Sequence, residues 1–287
     1  MLTRFIGVLF DGIAYGSLLF LISNGLSVTM GLMNFVNLAH GAFAMLGGYA
    51  CVLLVRRDVP FLLALPLAFL SMAVLGAILE RTLYRRLYQA PHLDQVLFSI
   101  GLTFMAVAGA TWVFGPLQQP VELPRFLRGQ VHLLGLDFGR YRLFLVALVV
   151  LATAVLQALL ERTRFGAQVR ASVDNQAIAA GLGIDVHRVF SVTFALGAGM
   201  AGLGGAVGVD LLGLDPTFAL KYLVYFLLVV AVGGAGSIQG TAVAAITLGV
   251  FDVAGKYYVP EIGAFIIYAL MIALLILFPR GLYGRRA

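Results

Sequence analysis

The sequence predicts an all-α, polytopic helical membrane protein with about 8–10 transmembrane segments and two broken helices. Of its 287 residues, 61% are hydrophobic and only 11% are charged, whereas a soluble domain carries roughly 25% charged residues. The few charges separate apolar blocks of about twenty residues, the length that crosses a bilayer as a helix. Helices are expected because lipid offers no hydrogen bonds to the backbone, so each segment must satisfy its own amides.

The apolar blocks divide the chain without any sign of a soluble part. They cover 5–23, 25–55, 60–80, 94–115, 141–160, 189–212, 221–252 and 263–279. Six of these blocks have the length of one membrane-spanning helix, and two, 25–55 and 221–252, are too long for one. We therefore treat 1–287 as a single transmembrane domain.

Both long blocks contain residues that interrupt a helix. The second carries four glycines within 233–240, and each glycine costs about 1 kcal/mol relative to alanine in a helix. Broken helices in membrane transporters line the solute pathway. The candidates for the pathway or the helix breaks are Asn34, Asn37, His40, Gly41, Gly233, Gly234, Gly236 and Ser237.

The arginine-rich stretches predict the topology. We place 80–93, 161–188 and 280–286 in the cytoplasm, where membrane proteins concentrate Lys and Arg. Block 221–252 must then cross twice, with its glycine cluster at a cytoplasmic turn. Dividing 25–55 in the same way gives about ten crossings with both ends of the chain in the cytoplasm. The proline-containing stretch 116–140 is then an external loop.

His40 allows two interpretations. An ionisable side chain within the membrane is a functional candidate by default, so His40 could line the pathway or carry a proton. No acidic residue lies near it in sequence, and Asn34 and Asn37 offer neutral hydrogen bonds. We favour a structural role in holding the helix break, and the pathway role stays open.

A polar segment at 162–186 differs from the rest of the chain. Its alanines and Ile178 recur at helical spacing among polar residues, and Gly181 and Gly183 end the pattern. One interpretation is an amphipathic helix lying on the lipid surface. The other is a docking helix for a soluble partner.

The block at 189–212 contains a row of glycines. Gly204 and Gly208 have the G-x-x-x-G spacing that lets helix backbones approach closely. We expect these glycines to pack helices within the subunit rather than to bind a ligand.

Four motifs together resemble one family. They are GLMNFVNLAHGAFAMLGGY at 31–49, the segment 163–184, the glycine cluster 233–240 and FPRGLYGR at 278–285. In this order, and spread from about residue 10 to 285, they resemble the permeases of branched-chain amino acid ABC transporters. The resemblance implies a pore of two permease subunits, identical or homologous, two cytoplasmic ATPases and a periplasmic or extracellular solute-binding protein.

The resemblance also implies a location and a coupling site. The location is the cytoplasmic (inner) membrane of a bacterium or archaeon. The segment 162–186 becomes the cytoplasmic coupling region that docks on the ATPases. Its candidate residues are Gly166, Arg170, Ala171, Asn175, Ala179 and Gly183.

Several function classes lack their motifs. No G-x-x-x-x-G-K-[ST] loop is present, so we expect no ATP hydrolysis by this chain. No catalytic motif or Cys/His cluster indicates an enzyme, a metal or a cofactor. The net charge of +6 does not form a basic face, so no nucleic acid partner is expected.

The favoured function is import of branched-chain amino acids or related small amino acids or amides. The alternative is an ion-coupled secondary transporter of small polar solutes. Its acidic candidates are Asp11, Asp210 and Asp252, each close to the end of a predicted span.

Overall fold

The computed structural model describes residues 2–33, 35, 37–133, 135–278 and 281–283. Within these ranges the chain forms eleven α-helices, two short 3-10 turns and one β-hairpin. The helices are α1 Leu2–Met33, α2 His40–Arg56, α3 Phe61–Thr82, α4 His92–Phe114, α5 Arg140–Arg162, α6 Arg164–Asp174, α7 Gln176–Gly181, α8 Val186–Leu212, α9 Phe218–Gly233, α10 Ile238–Tyr258 and α11 Gly263–Leu277. The 3-10 turns are Tyr84–Leu87 and Arg125–Leu127, and the antiparallel strands are β1 Gln130–Leu133 and β2 Leu136–Gly139.

The apolar helices confirm the predicted fold class. In the described part of the chain, α1, α3, α4, α5, α8 and α10 are long and apolar enough to cross a membrane. Three further apolar helices, α2, α9 and α11, are shorter. The protein is therefore a multi-pass, helical membrane protein.

The connecting segments gather at the two ends of this bundle. We call one end the α6 face: it carries the end of α5, α6, α7, the turn 83–91, the turn 234–237 and residues 281–283, which surround two shared cavities. We call the other end the hairpin face: it carries the β-hairpin, the segment 115–129 and the connection 213–217. There the backbone N–H of Gln119 donates to the Leu214 carbonyl at 2.7 Å, and Arg56 donates to the Gln119 side chain at 2.6 Å.

The prediction that 5–23 and 25–55 are separate crossings is wrong. α1 runs unbroken through Asn24, which separates the two predicted blocks, and through Gly25, the first residue of the second block. Gly25 is tolerated there because its missing side chain lets the backbone of Gly197 on α8 approach. A glycine that packs against another helix does not end its own helix.

The two ends of α1 lie on opposite faces. Near its start, Asp11 pairs with Arg142 and the rings of Phe10 and Phe138 are 4.8 Å apart on the hairpin face. Near its end, Gly31 lies against Gly236 on the α6 face. Because residues 281–283 also lie on the α6 face, the prediction that both ends of the chain share one side is wrong, and the described apolar helices fit nine crossings rather than ten.

This topology predicts opposite labelling of single cysteines. Cysteines introduced at Arg4 and Arg128 should react with an impermeant maleimide from one side of the membrane, and a cysteine at Leu182 only from the other. The background is low because Cys51 is buried. If the cysteines at positions 4 and 182 were labelled from the same side of the membrane, the orientation of α1 would be contradicted.

The centre of the bundle is α8, the most enclosed of the long apolar helices described. Its glycines face α1, α2 and α3: Gly204 lies against Ile22, Gly205 against the Ala44 carbonyl, and Gly202 against Met72. This arrangement confirms the prediction that these glycines pack helices within the subunit. α4 and α5 bury much less of their surface and are peripheral.

Candidate coupling site and helix interruptions

The first interruption lies between α1 and α2, and its backbone finds partners on α4. The N–H of Leu38 donates to Ser99 Oγ at 3.2 Å, and Thr103 Oγ1 lies 3.4 Å from the Leu38 carbonyl. The N–H of Ala39 donates to Asn37 Oδ1 at 3.1 Å. Non-helical backbone is tolerated at membrane depth only when protein groups satisfy it in this way. Asn34 lies outside the described residues.

His40 begins α2 deep within the bundle. Its side chain is buried, and Nε2 lies 2.9 Å from the carbonyl oxygen of Ile22, in the middle of α1. A carbonyl only accepts, so Nε2 carries the proton. The bond joins the start of α2 to α1, a geometry that supports the structural interpretation of His40.

A polar stripe on α4 was not singled out in the sequence. Gln95, Ser99 and Thr103 follow one another at a spacing of four and are all buried. That spacing puts them on one face of the helix. A regular polar stripe in an apolar helix is a signal for irregular backbone opposite, and it could have been found from the sequence.

Asn37 connects the first interruption to a buried acid. Tyr84 OH donates to Asn37 Oδ1 at 2.9 Å. One turn earlier, Glu80 is fully buried, accepts a hydrogen bond from Tyr88 OH at 2.6 Å and another from Ser191 on α8, and lies 3.8 Å from Arg85 Nε. We call Glu80, Arg85, Tyr88 and Ser191 the Glu80 cluster. The sequence did not indicate this cluster, because Glu80 borders an arginine-rich stretch whose composition is typical of a solvent-exposed loop.

The second interruption is a tight turn between α9 and α10. Gly234 and Gly236 have φ of +94° and +83°, a region that only glycine enters readily. Ser237 caps α10 by accepting from the Gly240 N–H at 3.0 Å. This confirms that the glycine cluster interrupts the long apolar block and turns the chain between two helices.

Residues of α1 and 281–283 fix this turn in place. The N–H of Gly236 donates to the Ser27 carbonyl at 3.0 Å. The N–H groups of Leu282 and Tyr283 donate to the carbonyls of Val232 and Gly233, at 2.7 and 3.2 Å. The turn is therefore attached to α1 and to the segment after α11.

The segment predicted as one amphipathic helix is two helices. α6 begins at a capping residue, Thr163, whose side chain accepts from the Gly166 N–H at 3.2 Å. Asn175 has an extended backbone and caps α7 by accepting from the Ile178 N–H at 3.0 Å. The side chain of Asn competes for backbone hydrogen bonds, which is why it ends one helix and starts the next. Gly183 then turns the chain with φ +85°.

The six coupling candidates differ in exposure. Gly166 is buried against the carbonyl of Leu160 on α5, and Arg170 is exposed and donates to that same carbonyl. Ala171 is half-buried, whereas Asn175 and Gly183 are exposed. Ala179, one of the six candidates, is only 1% exposed, so its side chain is covered by the subunit itself and is not on the surface. It faces inwards because α7 packs that side on the subunit.

The outward surface of this segment is apolar at two positions. Ile178 is 62% exposed and Leu182 is 77% exposed. Their spacing of four puts them on one side of α7 and its end. Neither was among the six coupling candidates, although an i, i+4 apolar pair in a polar segment was an available signal.

Two of the coupling candidates and residues of the second interruption line one cavity on the α6 face. Gly166 and Arg170 line it together with Gly236, Ser237 and Tyr283, and its volume is about 380 Å³. The first interruption lies apart from this cavity, with Gly41 packed against Ala219 of α9. In the described ranges no three His, Cys, Asp or Glu side chains are grouped as a metal site requires.

Comparison with known proteins covers almost the whole chain. The family model described as branched-chain amino acid transport system / permease component matches residues 8–275. The high-affinity branched-chain amino acid transport system permease protein LivH of Salmonella typhimurium is 26% identical over 98% of this chain and 96% of its own length. The probable branched-chain amino acid transport permease protein LivH of Methanocaldococcus jannaschii is also 26% identical, over 96% and 92%.

A third relative extends the comparison. The high-affinity branched-chain amino acid transport system permease protein BraD of Pseudomonas aeruginosa is 25% identical over 96% of this chain and 95% of its own length. No solved structure matches the chain. With the nine apolar helices described above, the match over 8–275 identifies a transport permease rather than an enzyme. The chain belongs to the family of permease components of branched-chain amino acid transport systems.

Proposed function

We propose that this chain is the permease subunit of an ATP-driven ABC importer in the cytoplasmic (inner) membrane of a bacterium or archaeon. Its solutes are branched-chain amino acids or related small amino acids or amides. Its partners are a second permease subunit, two cytoplasmic ATPases and an external solute-binding protein. The observation that carries the proposal is the exposed pair Ile178 and Leu182 on a segment outside the bilayer core.

The α6 face is the cytoplasmic one in this proposal. An exposed isoleucine and leucine on a polar loop are costly in water and favour a protein contact. Ile178 and Leu182 would insert into a groove on the ATPase, as apolar residues do at the centre of an interface. The exposed Arg170 and Asn175 of the same segment would form the polar rim.

The packing of α6 supports a route for the coupling. Gly166 and Arg170 share a cavity with Gly236 and Ser237, and Gly236 is hydrogen-bonded to Ser27 of α1. A movement of α6 would therefore reach the turn between α9 and α10 and the end of α1. ATP binding needs only to favour one of two arrangements of these elements, and nothing in this chain has to react.

The solute pathway would run past the two interruptions. Asn37, His40 and Gly41 lie where backbone polar groups reach membrane depth, and Asn34 precedes them. Gly233, Gly234, Gly236 and Ser237 lie at the cytoplasmic end of the bundle in this orientation. Residues that turn the chain inside a membrane bring carbonyl and amide groups close to a passing zwitterion.

Charging the apolar pair tests the proposal. In Ile178→Glu and Leu182→Glu, a carboxylate would be desolvated at the ATPase contact, so we expect solute uptake to fall at least about tenfold and the ATPase to be lost on co-purification. Protein levels should stay normal because both side chains are exposed. The matched control is Leu93→Glu, an equally exposed leucine on the first turn of α4.

Two outcomes would count against this function. Undiminished uptake with the ATPase still bound in both variants would remove α7 from the contact. Uptake that follows an ion gradient without any ATPase would favour the secondary transporter instead.

A further inference from the structure

Another cavity opens on the hairpin face, at the opposite end of the bundle from the candidate coupling site. Its volume is about 500 Å³, within the range of small-molecule pockets, roughly 300–1,000 Å³. It lies between α1, α9, α10 and α11, beside the first turn of α5. Its lining includes Asp252, Lys221, Tyr15, Tyr222, Tyr225 and Tyr268.

Asp252 lines this cavity and has an acceptor atom without a partner. The residue is 2% exposed, and its Oδ2 accepts from Lys256 Nζ at 2.6 Å. Its other oxygen, Oδ1, is buried and has no hydrogen-bond partner in the described part of the chain. A buried carboxylate oxygen without a partner is costly, which indicates that a donor from outside the chain completes it.

Lys221 is a cation beside Tyr222 that has no carboxylate partner in the described part of the chain. Its Nζ lies 5.1 Å from the ring centre of Tyr222, and no carboxylate pairs with it among the residues described. The other charges at the cavity are already paired, Arg142 with Asp11 and Lys256 with Asp252. The cavity therefore offers one acceptor for a positive group and one cation for a negative group.

The remaining wall is aromatic. The rings of Tyr222 and Tyr225 are 6.0 Å apart, and those of Tyr225 and Tyr268 are 6.1 Å apart. Tyrosine rings bury apolar groups while their hydroxyls stay near water. Such a wall suits an apolar side chain.

We propose that this cavity binds an apolar α-amino acid as a zwitterion at the outer face of the subunit. The ammonium group bonds to Asp252 Oδ1, the carboxylate pairs with Lys221, and the side chain lies against the tyrosines. The choice of ligand rests on the proposed function, from which the class of imported solute is taken. The site is an entry site for solute within one subunit, before the helix interruptions.

Binding of radiolabelled leucine tests the site. The complex that co-purifies with this chain is placed in nanodiscs free of phosphatidylethanolamine, without a solute-binding protein. Asp252→Asn and Lys221→Gln should each weaken leucine binding at least about tenfold, the effect of losing one charge-assisted hydrogen bond. The matched controls, Glu261→Gln and Arg57→Gln, remove exposed charges elsewhere on the same face and should bind as the wild type does.

Two leucine analogues separate the two charges. Leucinamide lacks the carboxylate, and 4-methylpentanoate lacks the ammonium group, so both should bind the wild type more weakly than leucine. Lys221→Gln should lose the preference for leucine over leucinamide, and Asp252→Asn the preference over 4-methylpentanoate. Because Lys221 is exposed, its variant carries the test even if Asp252→Asn does not fold.

Unchanged leucine affinity in both variants would overturn the site. So would binding that is abolished by adding phosphatidylethanolamine, whose headgroup is also a zwitterion, because the site would then hold lipid. If Asp252→Asn and Lys221→Gln keep both their leucine affinity and their preference over the analogues, and still support normal ATP-driven uptake, the site is overturned and the proposed function stands. Absence of any co-purifying ATPase would overturn the proposed function and leave the binding result standing.

Discussion

Replacing Gly205 with leucine should remove most of the folded protein from the membrane. A side chain at this position would overlap the carbonyl of Ala44, where α2 crosses α8. Gly47 and Gly202 meet backbone to backbone at the same crossing, so neither helix can shift aside. We expect a loss of about 3 kcal/mol or more, the upper range for overpacked cores, out of a total stability of roughly 5–15 kcal/mol.

Gly109→Leu is the matched control. Gly109 lies within α4, and a side chain there would meet nothing within 4 Å. Both substitutions replace glycine by leucine inside an apolar helix, and leucine raises helix propensity by roughly 1 kcal/mol in each. Membrane levels and thermal unfolding in detergent measure the difference. Equal amounts and equal melting temperatures for the two variants would show that the α2–α8 contact adjusts to a side chain.

Glu80→Ala should destabilise the protein by about 3–5 kcal/mol, as expected when one partner of a buried charged network is removed. The side chain of Glu80 is fully buried and accepts hydrogen bonds from the half-buried Tyr88 and the buried Ser191. Burial raises the pKa of Tyr88, and the bond to Glu80 raises it further. The Tyr88 hydroxyl therefore keeps its proton and would be left as a donor without an acceptor.

Two further variants sharpen this prediction. Glu80→Gln keeps one carbonyl acceptor and should lose less stability than Glu80→Ala. The control Glu261→Ala removes an exposed carboxylate between α10 and α11 and should change little. Melting temperature and uptake per folded molecule are the measurements. If Glu80→Ala melts as the wild type does, the Glu80 cluster does not hold α3 to α8.

The Glu80 cluster also bears on transport. Tyr84, one turn after Glu80, holds Asn37 at the first interruption. Ser191 on α8 follows the coupling segment by a few residues. Loss of Glu80 should therefore reduce uptake per folded molecule, because α8 and the interruption would no longer be held in a fixed relation.

The sequence alone determined that the chain lies in lipid, that it is helical and where its two interruptions fall. Composition and block length indicate a membrane protein, because both are properties of the sequence that do not depend on contacts between distant residues. The glycines of 233–240 and the polar residues of 34–41 predicted the two interruptions, since backbone cost is a local property. The segment proposed for coupling was singled out in the same way, because it is the polar exception in an apolar chain.

The tertiary structure decided which side of each helix is inside. In lipid, a helix is apolar on its outer side as well as on its packed side, so hydropathy does not show the buried face. On α7, outside the bilayer core, the small Ala179 is buried and the larger Ile178 and Leu182 are exposed, the reverse of what side-chain size alone indicates. Gly25, the first residue of a predicted block, lies inside α1, where it packs against Gly197 of α8.

Contacts between residues far apart in the sequence were likewise visible only in the tertiary structure. Glu80 meets Ser191, which lies 111 residues further along the chain, and Arg142 meets Asp11, which lies 131 residues before it. No local pattern encodes such pairs, because each depends on how whole helices are placed beside one another. The amino-acid sequence determined that the chain crosses the membrane as helices with interruptions. The contacts between helices determined the direction of α1, the exposed surface of α7 and the surroundings of Asp252, whose Oδ1 has no partner in the described part of the chain.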